Sequence, residues 1–120
     1  VRGEQYLTKP AQYALVYSKG SSWANSLLVM KVLADGLDLS RYGFSVGRRV
    51  GKAVVRNRVK RRLREIMRST SLQPGRDIIF IARSRTAVAG YAELKAAVQE
   101  LLHRAGLLVE NYEKVGLRSD

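Results

Sequence analysis

The chain has 120 residues, 46% of them hydrophobic, which suits one domain built around one core and excludes a large multidomain enzyme. Its 22 Lys and Arg against 10 Asp and Glu give a net charge of +12, a surface that repels itself unless a polyanion answers it. Cysteine is absent, which excludes disulfide frameworks, thiolate nucleophiles and cysteine-ligated zinc.

No apolar run approaches the roughly 18 residues that span a bilayer, because Lys31 interrupts the best candidate at 27–34. Val1 to Leu7 lacks the apolar centre of a signal peptide. The expectation is a soluble cytoplasmic protein with no membrane or small-molecule partner and with nucleic acid as the first candidate ligand.

In chain order, Thr8 followed by Lys9-Pro10 predicts a helix start with Thr8 as N-cap, running to about Ser18 and stopping at Gly20. Leu27–Ala34 and Arg41–Gly47 read as strands separated by the turn-rich segment 35–38, and Trp23 marks a short extra strand before them. In the second strand Tyr42, Phe44 and Val46 alternate with Arg41, Gly43, Ser45 and Gly47. One face is therefore bulky and core-directed, while the small face lets a ligand or a helix come close to the backbone.

From Ala53 to Arg68 the period becomes helical, with Val55, Val59, Leu63 and Ile66 on one stripe and Met67 at its edge. Pro74-Gly75 forms a turn, and Asp77–Arg83 is apolar on both faces, as a central strand is. A last helix from about Gly90 to Ala105 directs Tyr91, Leu94, Val98, Leu101 and Leu102 inward. The tail from Gly106 adds a short helix around Val109–Lys114.

The order is helix, two or three strands, basic helix, strand, helix. The predicted class is α+β, a small mixed sheet packed with helices, in a single domain over 1–120 with its core at about 7–105 and a tail at 106–120.

The charge is local. Residues 41–68 carry 11 basic groups and one acid, Glu65, so this segment holds +10 of the +12. At 100° per residue, Asn57, Arg61, Arg64 and Arg68 form one row opposite the apolar stripe, with Arg58 and Lys60 on its flanks. Guanidinium groups spaced along a rigid face can fork onto successive phosphates, which a lysine point charge cannot copy. Gly51-Lys52-Ala53 supplies no capping side chain, and Arg48, Arg49, Lys52, Arg56 and Arg58 surround a helix end whose macrodipole prefers anions.

Beyond these physical readings, the run from Gly43 to Glu65, centred on Arg56-Asn57-Arg58, resembles the signature of the bacterial ribonuclease P protein subunit family. The likeness extends over about residues 7–104. It implies a small sheet with packed helices and a left-handed strand–helix–strand crossover through 41–83. It also implies that RNA is the catalyst of an endonucleolytic hydrolysis, with Mg²⁺ held mainly by RNA and none by the protein alone, and that the chain assists 5′ maturation of tRNA.

The same resemblance implies that Arg56, Asn57, Arg58, Lys60, Arg61, Arg62, Arg64 and Arg68, with Arg48, Arg49 and Lys52 beside them, dock onto the ribonuclease P RNA. Tyr13 and Tyr17, with Val29, Lys31 and Ser45 on the sheet side, match the cleft that holds the single-stranded 5′ leader of precursor tRNA. Lys31 stands where many relatives have an aromatic residue, which exchanges stacking for a phosphate contact. Lys52 stands where some have Asn.

A protein-only nuclease would need converging carboxylates or a histidine pair. His103 is the sole histidine, Asp35 and Asp38 share one turn and Asp77 opens a strand, so the side chains point to binding. A general RNA-structural protein shares the basic face but needs no leader cleft. A DNA-reading helix-turn-helix lacks its second helix here.

Overall fold

A computed structural model describes residues 6–109. The elements are α1 (Pro10–Lys19), β1 (Ser21–Ala24), β2 (Leu28–Ala34), β3 (Arg41–Ser45), α2 (Ala53–Arg68), β4 (Arg76–Ala82) and α3 (Tyr91–Arg104), with a 3-10 turn at Ser84–Ala87 between β4 and α3. The predicted α+β class and element order hold, and the extra strand at Trp23 is β1.

The first helix begins one residue later than predicted: Lys9, not Thr8, is the N-cap. The amides of Thr8 and Lys9 both donate to Gln12 Oε1 at 3.0 Å, so a side chain at N3 reaches back and fixes the chain entering the helix, without a hydroxyl cap on the helix amides. Gly20 ends the helix for a packing reason. A Cβ there would stand 2.6 Å from Val16 O and 2.9 Å from Val32 O.

The sheet order is β1-β2-β4-β3, with β1–β2 and β2–β4 antiparallel and β3–β4 parallel. β4 is paired along both edges, and it is apolar on both faces because α1 covers one and α2 and α3 cover the other. The chain leaves β3, forms α2 and returns along β4 beside the strand it left. The strands end sooner than expected, β3 at Ser45 and β4 at Ala82.

Pairing register sorts the residues into two faces. Trp23, Met30, Phe80 and Phe44 form one row across the four strands, with Val32, Ile78 and Tyr42 in the next. This face carries the main core, where α2 contributes Val59, Leu63, Ile66 and Met67 and α3 contributes Leu94, Val98, Leu101 and Leu102. Burying each such side chain is worth about 1.5–3 kcal/mol. Met67, expected at the stripe's edge, is fully buried, whereas Tyr91 is 37% exposed and does not join the core as predicted.

The opposite face meets α1 in a smaller cluster, Leu7, Val16 and Ile79, with Tyr13, Leu33 and Ile81 packed against it. Asn25 ties the β1–β2 hairpin to α3, accepting the Leu27 and Leu28 amides on Oδ1 and donating through Nδ2 to Ala97 O.

At the C-terminal end, Leu108 bridges antiparallel to Leu72 and the Val109 amide donates to Ser71 O. Val109, where the sequence places the start of the tail helix, is therefore bonded to the 71–72 segment and not helical. The rest of that helix lies outside the described residues.

Candidate nucleic-acid interface

α2 spans 53–68 as its period predicted, and its basic residues divide by what they touch. Asn57, Arg61, Arg64 and Arg68 are all exposed and have no hydrogen-bond or ion-pair partner among the described residues. Their side chains are free to meet an external anion. Lys60 is half-buried on the flank of this row.

The other arginines of the helix turn back to the protein. Arg56 Nε donates to Gly51 O at 3.1 Å, Arg58 Nη2 to Ala87 O at 2.9 Å and Arg62 Nη1 to Ala89 O at 3.1 Å. The helix period cannot distinguish these from the free row, since the carbonyls they meet lie up to 29 residues away.

The helix start is as bare as the sequence suggested. Lys52 is the N-cap, with no side-chain cap bond and no acidic residue in the first turn. Arg48 and Arg49 are exposed in the preceding turn. Together with Ser45, Gly47, Val50, Ile81, Ala82, Arg83 and Ser84 they line an open pocket of about 550 Å³ at the carboxyl ends of the parallel strands β3 and β4. Arg83 and Ser84 had no signal in the sequence. Only the parallel pairing brings the ends of these strands together.

On the α1 side of the sheet, Val29 on β2 pairs with Ile81 on β4, and Ile81 with Ser45 on β3. The expected Val29 and Ser45 thus belong to one half-buried row, with Ile81 as its unpredicted centre. Lys31 lies in the next row, Ser22–Lys31–Ile79–Gly43, and its Nζ donates to Ser22 Oγ at 2.8 Å.

Tyr13 and Tyr17, one turn apart on α1, differ in setting. Tyr13 lies on Gly43, where an added Cβ would come within 2.7 Å of its Cζ, and its hydroxyl donates to Leu7 O at 3.3 Å. Burial, and then the neighbouring Tyr17, push its hydroxyl pKa up, while the Phe44 backbone opposes the shift. Tyr17 is 40% exposed. The small face of β3 therefore accommodates the helix first, through Tyr13, and leaves the Ser45 end open.

The acidic residues do not converge into a metal centre among the described residues, where no group of three or more His, Asp or Glu could hold an ion. Asp35 and Asp77 do come together, around Arg41. The Arg41 guanidinium forks onto Asp77 at 2.9 and 2.7 Å and lies 3.9 Å from Asp35 Oδ2. Burial and the adjoining Asp77 raise the Asp35 pKa. Burial acts the same way on Asp77, but the bonds from Arg41 outweigh it and hold that carboxyl below its usual range. Arg41, one of the basic block, is thus an internal ion-pair partner. His103 is exposed in the last turn of α3.

The fold and the surface define a small, strongly basic α+β protein that presents one helix as a cationic face beside a partly open sheet. No helix among the described residues is long and apolar enough to cross a membrane. The ribonuclease P family profile matches residues 2–106. The ribonuclease P protein component of Dehalococcoides mccartyi strain CBDB1 is 44% identical over 114 residues, covering 95% of each chain. Among solved structures, a mutant Staphylococcus aureus RNase P protein superposes with a TM-score of 0.83 at 28% identity, covering 89% of this chain and 92% of the other. The Thermotoga maritima RNase P protein superposes with a TM-score of 0.76 at 29% identity, covering 88% of this chain and 98% of the other. The chain belongs to the ribonuclease P protein family, and with it to the ribonucleoprotein nucleases of tRNA processing.

Proposed function

We propose that this chain is the accessory protein subunit of an RNA-catalysed ribonuclease P, binding the catalytic RNA and the 5′ leader of precursor tRNA so that the RNA cleaves at the mature 5′ end. The observation that carries this reading is the exposed, unpartnered row Asn57, Arg61, Arg64 and Arg68 on a helix whose opposite stripe is buried. A rigid row of this kind matches the phosphate backbone of a folded RNA, and its affinity comes from counterion release.

The leader lies along the Val29–Ile81–Ser45 row beside Tyr17, whose exposed ring offers a base a stacking surface without sequence preference. Lys31 adds a charge for the leader backbone. Arg48, Arg49 and Lys52 line the exit from this row towards α2, at a helix start suited to a phosphate. Mg²⁺ is assigned to the RNA, because the Arg41 guanidinium forks onto the Asp77 carboxylate and stands beside Asp35, where a cation would compete with it. The reading places the protein in the cytoplasm with its two RNA partners.

The test is reconstitution. Added to a bacterial ribonuclease P RNA and precursor tRNA at low Mg²⁺, the chain stimulates cleavage, and its complex prefers precursor over mature tRNA increasingly with leader length. No stimulation would refute the assignment. Stimulation indifferent to the leader would leave a general RNA-structural protein.

A further inference from the structure

Two arginines of α2 meet the same short segment. Arg58 and Arg62, one turn apart, donate to Ala87 O and Ala89 O, the carbonyls on either side of Val88 in the connection between β4 and α3. Arg58 is committed to this contact, since its Nε is also buried, with no hydrogen-bond partner. The segment is organised within itself as well. Thr86 is buried with its hydroxyl donating to Arg83 O at 2.8 Å, and the Val88 amide donates to Arg85 O.

The clip holds an apolar and a cationic side chain outward. Val88 is 89% exposed, and Val54, one turn before Arg58 in the same row of α2, is 77% exposed. Arg85 is exposed and unpartnered among the described residues, and no acidic residue occurs from 83 to 92. Two donors are used to fix a backbone that presents one cation and one apolar side chain beside the basic face. A folded RNA fits this chemistry, offering phosphates to Arg85 and sugar edges to the valines.

We propose that Arg58 and Arg62 are positioning residues that clip segment 83–89 to α2, making Arg85 and Val88 a second contact edge for the RNA that the exposed row engages. This rests on the function proposed above and separates the arginines of α2 into RNA ligands and internal anchors.

The first test uses the free chain. Arg58→Ala or Arg62→Ala, each leaving one anchor in place, speeds amide hydrogen exchange at Val88 and Ala89, and Arg61→Ala does not. Unchanged protection in both anchor variants would overturn the clip. The milder Arg58→Gln serves if Arg58→Ala unfolds.

The second test is a double-mutant cycle on affinity for ribonuclease P RNA. Arg85→Ala lowers the salt slope by about 0.9, as one lost phosphate contact does. In a background carrying both Arg85→Ala and Val88→Ala, Arg58→Ala then changes affinity by less than about twofold, because the edge it positions is already gone. Additive losses would make Arg58 a direct ligand and overturn the inference while leaving the function intact. Failure of the unaltered chain to bind that RNA would overturn both.

Discussion

The ring of Tyr13 rests on the backbone of Gly43, and no side chain larger than hydrogen fits between them. The contact couples α1 to the small face of β3 and sets how far the helix stands from the Val29–Ile81–Ser45 row.

Gly43→Ala is therefore expected to displace the Tyr13 ring and to cost about 1–3 kcal/mol, the usual range for overpacking. Because the displaced ring belongs to the leader side, precursor binding should fall more than affinity for the catalytic RNA. Thermal denaturation and the two binding assays check this. Equal losses in both assays would contradict the assignment of this face.

Tyr17→Ala should weaken precursor binding by about 1–3 kcal/mol, one stacked base, with little change in stability. Its exposure means that no core is opened by the substitution. A precursor with its leader removed should bind wild type and variant alike.

Arg61→Ala and Arg64→Ala should each lower the log–log salt slope of RNA binding by about 0.7–0.9. Both side chains lack internal partners among the described residues, so their removal leaves the melting temperature unchanged. A slope that does not move would mean that the row faces something other than phosphates.

The Asp35–Arg41–Asp77 group predicts a pH signature. Asp77, held below its usual value, contributes stability that is present above 3.8 and lost as pH falls through its lowered value. Asp35, raised, contributes in the opposite sense: its share is present below 3.8 and lost as pH rises through its elevated value. Asp77→Asn should cost about 3 kcal/mol at neutral pH by leaving a largely buried guanidinium without its fork. Asp35→Asn should stabilise the protein at neutral pH and remove the gain that wild type shows on mild acidification. Denaturant titrations from neutral pH down through the carboxylate range test this, and a pH-independent difference between Asp35→Asn and wild type would exclude it.

Asn25→Ala should destabilise the domain by about 2 kcal/mol, because it leaves the Leu27 and Leu28 amides without the Oδ1 they donate to and unties the hairpin from the Ala97 carbonyl of α3. RNA affinity per folded molecule should not change. Urea denaturation with a parallel binding titration separates the two effects.

Much of α2 is legible in the sequence, because its information is local. A period of 100° per residue places Val59, Leu63 and Ile66 on one side and Asn57, Arg61, Arg64 and Arg68 on the other, and the structure buries the first set and exposes the second. The bare helix start at Lys52 and the alternation of Tyr42 and Phe44 with Gly43 and Ser45 are equally short-range facts.

Other features needed the strands to be paired. Asp77–Arg83 is apolar on both sides, so nothing in it tells which of Ile79, Phe80 and Ile81 faces α1 until the β2–β4 and β3–β4 registers set the parity. Thr8 is the N-cap that the sequence predicts, but Lys9 takes that position, and Gln12 Oε1 accepts the Thr8 and Lys9 amides.

By itself the sequence determined that the charge is concentrated on one strand–helix segment and that this helix has a buried stripe and a cationic row. Only the tertiary structure decided which cations are available. Arg41 meets carboxylates from positions 35 and 77, and Arg58 and Arg62 meet carbonyls 27 to 29 residues away. A formal charge is a property of composition, but an available charge depends on which partners the fold brings within hydrogen-bonding reach.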